Sequence, residues 1–215
     1  KSWNKKMFSH IKTQADQASI DLAKEKGACP DAEEYGIMER FSNKTAVAPT
    51  ASISIICGGS SPGIEPIAAN VFAHKTLSGT FTVRNRHLKM MLEEKKQDND
   101  EVWLSILSNR GSVQHLDFLS DHEKDVYKTA FEIDQRWLID LAGDRSEMID
   151  QAQSLNVFLP ADSDKSYLHE VHYAAWKKGV KSLYYCRSLS LQRAENSSNK
   201  PDLVEVKTLD DIAAE

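Results

Sequence analysis

Between Ala48 and Pro66 the chain reads APTASISIICGGSSPGIEP, a run that concentrates hydroxyls, glycines and prolines with almost no charge. Thr50, Ser52, Ser54, Ser60, Ser61 and, further on, Thr76 supply O–H donors, while Gly58, Gly59 and Gly63 leave the backbone bare. With Cys57 as a thiol, Glu65 is the only ionisable side chain before Ala68. Such a segment is equipped to meet an anion such as a diphosphate with hydrogen-bond donors rather than with cations. Pro49 fixes φ and has no N–H, so a helix starting here would aim the amides of Thr50, Ala51, Ser52 and Ile53 together at a ligand. The ASISI alternation with its β-branched isoleucines reads equally well as a strand. The same residue types also make an ordinary Ser-rich turn.

Other chemistry-bearing patterns are weaker. Gly59-Ser60-Ser61-Pro62-Gly63 fits G-x-S-x-G with Asp and His downstream, as in a hydrolase. A nucleophile elbow needs the N–H of the residue after the serine for its oxyanion hole, and that residue is Pro62. His169 and His172 in HEVH stand three apart, whereas the zinc-protease pattern sets them four apart, and no third ligand is evident. The expectation is a core His172, an exposed His169 and no metal site. Glu65 reads as a hydrogen-bonded loop acid and Cys186 as a buried thiol. Cys29, Cys57 and Cys186 are too few and too widely spaced for a disulfide framework or a Cys-x-x-Cys site.

Positioning these residues falls to a chain of 215 residues with 40% hydrophobic content, enough for one sizeable core. A net charge of −5 argues against a nucleic-acid or membrane-surface binder. No apolar run is long enough to span a bilayer, and Lys1 to Ala15 does not read as a signal peptide, so a cytoplasmic chain is expected. Lysine in place of an initial methionine leads us to expect residues upstream.

Met7, Ile11, Ala15, Ala18 and Leu22 predict a helix face ended by Gly27 and Pro30. The charged run after Lys89 predicts an exposed helix end passing into a polar loop. Ser120 and Glu123 form a capping box, and Val126, Ala130, Phe131, Ile133, Trp137, Leu138 and Leu141 predict one helix behind it. SLNVFLPAD reads as a buried strand stopped by Pro160. Leu168, Val171, His172, Ala175 and Trp176 mark a helix closed by Gly179, and SLYYC a second strand. Strand, helix and strand in that order predict a βαβ unit with adjacent parallel strands. From Arg193 the composition is that of a linker and a mobile acidic tail.

Several segments in fixed order, YGIMERFSNKTAVAPTASISIICGGSSPGIEP, KTLSGTFTVRN, GSVQHLDFLSDHEKDVYKTAFEIDQRW, QAQSLNVFLPAD and HEVHYAAWKKGVKSLYYCRSLSLQRAE, resemble the C-terminal part of the large subunit of class I ribonucleotide reductases over residues 7 to 195. The resemblance implies an α/β fold: a fragment of the ten-stranded α/β barrel, built of βαβ units over 1–194, with a flexible tail over 195–215. It implies that Pro49, Thr50, Ala51, Ser52 and Ile53 bind the diphosphate of a ribonucleoside diphosphate. Tyr184 and Tyr185 match the tyrosine pair that relays a radical. Aromatic residues on a strand otherwise mean packing, and successive strand residues point to opposite faces. Stacking of the two rings therefore demands a local distortion or the end of a strand.

The family's radical cysteine and reducing cysteine pair lie in segments not matched here, and the tail lacks the cysteines that shuttle reducing equivalents. The implied partners are the upstream part of the large subunit, a small radical-generating subunit that contains the metal, and thioredoxin or glutaredoxin. No cofactor is expected on this chain, and no activity from it alone. The alternative is a non-catalytic nucleotide-binding or subunit-interaction module.

Overall fold

Capping chemistry sets many of the element boundaries. The computed structural model describes residues 1–58, 60–76 and 79–188, with the side chains of 74–76 excepted; the expected tail, 195–215, and Gly59 lie outside the described residues. The chain runs α1 (Ser2–Lys26), α2 (Pro30–Glu34), α3 (Ala51–Ile56), β1 (Val71–Thr76), β2 (Gly79–Arg84), α4 (Arg86–Glu94), α5 (Asp100–Ser108), α6 (Asp121–Val126), α7 (Gln135–Ser146), β3 (Val157–Leu159), α8 (Lys165–Lys177) and β4 (Cys186–Ser188). Asn85, Asn99, Ser120, Asp134 and Asp164 each accept first-turn amides of the helix that follows, as N-cap residues do. Gly179 at φ 70° ends the turn after α8.

Two compact units result. The first comprises Lys1–Thr50, Asp134–Val157 and Asp162–Arg187. Here α7 packs against both α1 and α8, burying Leu138, Ile139 and Ala142 of α7, Val171 and Ala175 of α8, and Ser19 and Ala23 of α1. The second comprises Ala51–Ile133 and Phe158–Ala161, with residue 188. Its core gathers Val71, Leu88, Leu92, Trp103, Ile106, Val113, Leu116 and Leu119. The antiparallel hairpin of β1 and β2, in register Val71↔Arg84, was not foreseen from the residue pattern.

Three expected features need correction. The stripe through Met7, Ile11 and Ala18 faces outward, with Ala15 and Leu22 only half-buried. The buried face runs through Ser19 and Ala23, because the Ser19 hydroxyl accepts the amides of Arg40 and Phe41, both at 3.1 Å. The single helix expected behind Ser120 is two. The capping box is present, but α6 stops at Val126, where the Ala130 amide donates to the Ile67 carbonyl and Glu132 accepts the Thr129 amide and hydroxyl. These bonds build a turn that a continuous helix could not. Trp137 and Trp176, placed on apolar faces by spacing, are exposed.

Asp134 offers a test of this capping. Its carboxylate accepts the Arg136 amide at 3.0 Å, the Arg136 guanidinium and the Tyr167 hydroxyl at 2.9 Å. The Arg136 side chain is the main reason it is held down at about 2, against an ordinary value of 3.8. A carboxylate depressed in the fold contributes stability above its unfolded pKa and loses it as pH falls through the folded one. Asp134→Asn is therefore expected to flatten the decline of Tm between about pH 4 and pH 2; an unchanged acid limb would show that the cap carries no linkage.

Candidate functional site

Tyr184 and Tyr185 lie at the entry to β4, against the extended segment that ends in β3. The Tyr184 amide donates to the Leu155 carbonyl at 2.9 Å, and the Val157 amide donates to the Tyr185 carbonyl at 2.9 Å. Pairing advances along both segments in the same sense, as the expected parallel arrangement requires. In a regular parallel ladder one residue would make both bonds. Here Tyr184 and Tyr185 divide them and together oppose Asn156, which is the pattern of a β-bulge. The Tyr185 amide, left without a ladder partner, donates to Asn156 Oδ1 at 3.0 Å.

The distortion demanded by the Tyr-Tyr sequence is thus present. The ring centroids stand 4.3 Å apart at 53°. The adjacent Tyr185 side chain, through its hydroxyl first and its charge second, holds the Tyr184 phenol above its ordinary value; Arg187 opposes the rise. The Arg187 guanidinium lies 5.4 Å from the Tyr185 ring centroid. Both rings are about half exposed, at 50% and 54%. Cys186, expected to be buried, is exposed like the rest of β4, which leaves it outside any core.

The segment leading to Pro49 flanks the same middle strand. Val47 forms a parallel bridge with Gln153, its amide donating to Ala152 at 3.2 Å and its carbonyl accepting from Ser154 at 2.9 Å. Successive residues of an extended chain turn their backbone polar groups to opposite edges. Residues 152 and 154 therefore serve Val47 on one edge, and residues 155 and 157 serve the tyrosines on the other. Pro49 lies two residues beyond Val47, as Leu155 lies two beyond Gln153. Val47 and the tyrosine pair thus flank the same extended segment from opposite edges.

Buried polar groups fix the middle strand. Arg145, only 3% exposed, donates to Gln153 Oε1 at 2.6 Å and to Asn4 Oδ1 at 3.3 Å, and desolvation lowers it to about 10. Asp150 accepts the amides of Lys44 at 2.7 Å and Thr45 at 3.3 Å. The Lys181 ammonium donates to the carbonyls of Ile149, Asp150 and Gln151. Sequence reasoning missed this bracing, since Arg145, Asp150, Gln153 and Asn156 are ordinary polar residues until the fold buries or pairs them.

The donor-rich segment resolves as a helix start, which overturns the strand alternative. α3 begins at Ala51, so Ala51, Ser52 and Ile53 occupy its first turn, where amides have no partner inside the helix. Ser52 and Ile53 are exposed. Pro49 precedes the helix by two residues rather than opening it. Thr50 takes φ 46°, an uncommon conformation for a β-branched residue. Ser54 is turned inward, its hydroxyl donating to the Ala51 carbonyl at 2.8 Å. Thr50 lies in the first unit and Ala51–Ile53 in the second.

The weaker patterns do not assemble. The Ser61 hydroxyl donates to the Glu65 carbonyl. His172 is exposed rather than core, its Nδ1 2.8 Å from the Leu168 carbonyl. His169 is exposed, stacked on Tyr173 at 5.9 Å. Among the described residues no group of three His, Cys, Asp or Glu side chains is placed to hold a metal ion, and no helix is long and apolar enough to cross a membrane.

Known proteins share this architecture. The family model described as ribonucleotide reductase, barrel domain, matches residues 30–186. A ribonucleoside-diphosphate reductase large subunit of Invertebrate iridescent virus 3 is 42% identical over 211 residues, 97% of this chain and 33% of that protein. That of Invertebrate iridescent virus 6 is 45% identical over 197 residues, 90% of this chain and 20% of that protein. The solved structure of the Actinobacillus ureae class Id ribonucleotide reductase alpha subunit superposes with a TM-score of 0.79 at 36% identity, covering 90% of this chain and 35% of that one. This chain therefore spans a third or less of the length of these two viral relatives.

Proposed function

We propose, from the premise that the chain belongs to the ribonucleotide reductase barrel-domain family, that it serves as the C-terminal part of a ribonucleoside-diphosphate reductase large subunit. In this reading Pro49, Thr50, Ala51, Ser52 and Ile53 hold the substrate's diphosphate and Tyr184 and Tyr185 relay the radical. The upstream part supplies the catalytic cysteines, a small metal-containing subunit generates the radical, and thioredoxin or glutaredoxin returns the reducing equivalents in the cytoplasm. The chain alone is inactive.

The observation that carries the reading is the pair of phenols 4.3 Å apart on a bulged strand end. When one of them is a neutral phenoxyl, the other gives up its hydroxyl hydrogen: the proton passes to the phenoxyl oxygen and the electron passes between the rings. The donor becomes the phenoxyl and the acceptor the phenol. No net charge is created, so the step incurs no desolvation penalty for a charged phenolate or phenol cation. The loop contributes differently. First-turn amides and the Ser52 hydroxyl offset a multiply charged diphosphate with hydrogen-bond donors rather than with cations.

Ser52→Asp separates this role from a structural one. An acid in the first turn favours the helix, so a loop that only shapes the fold would tolerate it. A carboxylate next to a bound diphosphate is expected to weaken ribonucleoside diphosphate binding by about tenfold to a hundredfold, roughly 1.4–2.7 kcal/mol of like-charge repulsion. Calorimetry on the chain mixed with the upstream part of a large subunit measures this, and unaltered affinity would remove the loop from the site.

A further inference from the structure

We propose that Asn156 is the positioning residue of the tyrosine pair: its side-chain oxygen captures the Tyr185 amide and so holds the bulge that brings both phenols to one side of the strand. The role of the pair rests on the relay reading above; the geometry does not. Regular alternation would send the two rings to opposite faces. They meet because Leu155 and Val157, two residues apart, bond to consecutive residues, Tyr184 and Tyr185. That arrangement leaves one amide over, and Asn156 Oδ1 accepts it at 3.0 Å.

Asn156 can act this way because it is itself fixed. It is 8% exposed, between two residues whose backbone groups are committed to the tyrosines, on a strand braced by Arg145 through Gln153. An exposed side chain would exchange the amide for water and let the bulge relax to a regular ladder. A carboxamide oxygen also provides an acceptor without a charge, so it fixes the pair without biasing the loss of an electron from either phenol. Arg187 lies over the Tyr185 ring, a contact that does not involve the Tyr185 amide.

The test places 3-fluorotyrosine at position 184 and follows fluorine NMR of the full chain. In the native sequence a through-space contact to the Tyr185 ring and a titration midpoint above that of a reference peptide are expected. Asn156→Leu, similar in volume but without an acceptor, should lose the contact and return the midpoint to the reference; Asn156→Asp, which keeps the oxygen, should restore the contact. Retention of both signals in a folded Asn156→Leu chain, or failure of Asn156→Asp to restore the contact, overturns the proposal. Should Asn156→Leu not fold, hydrogen exchange of the Tyr185 amide in the native chain decides: protection beyond that of free peptide supports capture by Asn156, and free-peptide exchange refutes it. These readouts require no turnover, so they stand or fall separately from the relay.

Discussion

Replacing either Tyr184 or Tyr185 by phenylalanine is expected to abolish nucleotide reduction by the chain mixed with its upstream part and a small subunit, a loss of about 10³-fold or more, equivalent to at least ~4 kcal/mol on the barrier. The substitution removes one oxygen and keeps the ring. Phenylalanine fills nearly the same space at a half-exposed position, so stability should hardly change. What disappears is the O–H bond whose hydrogen is passed. Diphosphate affinity should remain, because the donor-rich loop is built from different residues. A variant that binds the diphosphate, melts normally and does not turn over is the signature of a broken relay. Full turnover by Tyr184→Phe and Tyr185→Phe would exclude the wire and favour a nucleotide-binding or subunit-interaction module.

The donor-rich loop and the tyrosine pair were legible to different degrees. The donor content of the loop is local chemistry and could be read directly, but not its conformation: Ala51 to Ile56 alternates as a strand would, and tertiary context makes it a helix entered through a left-handed Thr50. The tyrosines were found by resemblance, and their backbone demanded a distortion whose cause was invisible. Asn156, which receives the displaced amide, lies 29 residues away and looks like any strand-edge asparagine. Capping residues were readable because cap and helix are adjacent, as at Ser120 and Glu123. The interruption between α6 and α7 was not, since the carbonyl that draws Ala130 out of helical pairing belongs to Ile67. Apolar spacing likewise proposed a face for α1 but could not weigh Ser19, which is buried by the amides it accepts.

Gly111→Ala is expected to cost about 4 kcal/mol and to lower the Tm of the second unit by roughly 15–30 °C, though nothing in the local pattern marks this glycine as special. Two separate penalties coincide. Gly111 sits at φ 80°, where an L side chain is strained. An added Cβ would overlap Ala69 Cβ and come within 2.7 Å of Ala69 Cα and 2.8 Å of Asn70 N, and two of these three atoms are backbone that no rotamer change can clear. The strand entry held at that point is a hub. The Gly111 carbonyl accepts the Asn70 amide at 3.1 Å and its side-chain Nδ2 at 2.9 Å. Asn70 Nδ2 also donates to the Tyr127 carbonyl at 2.8 Å, and its Oδ1 accepts from Asn85 Nδ2 at 2.8 Å. Asn85 caps α4, which carries Leu88 and Leu92 into the core. Displacing Gly111 therefore loosens β1, the end of α6 and the start of α4 together, which is why the loss should be cooperative rather than local. Thermal unfolding followed by circular dichroism measures it, and a shift of only a degree or two would mean that residues 69–70 move aside freely and that the hub holds nothing.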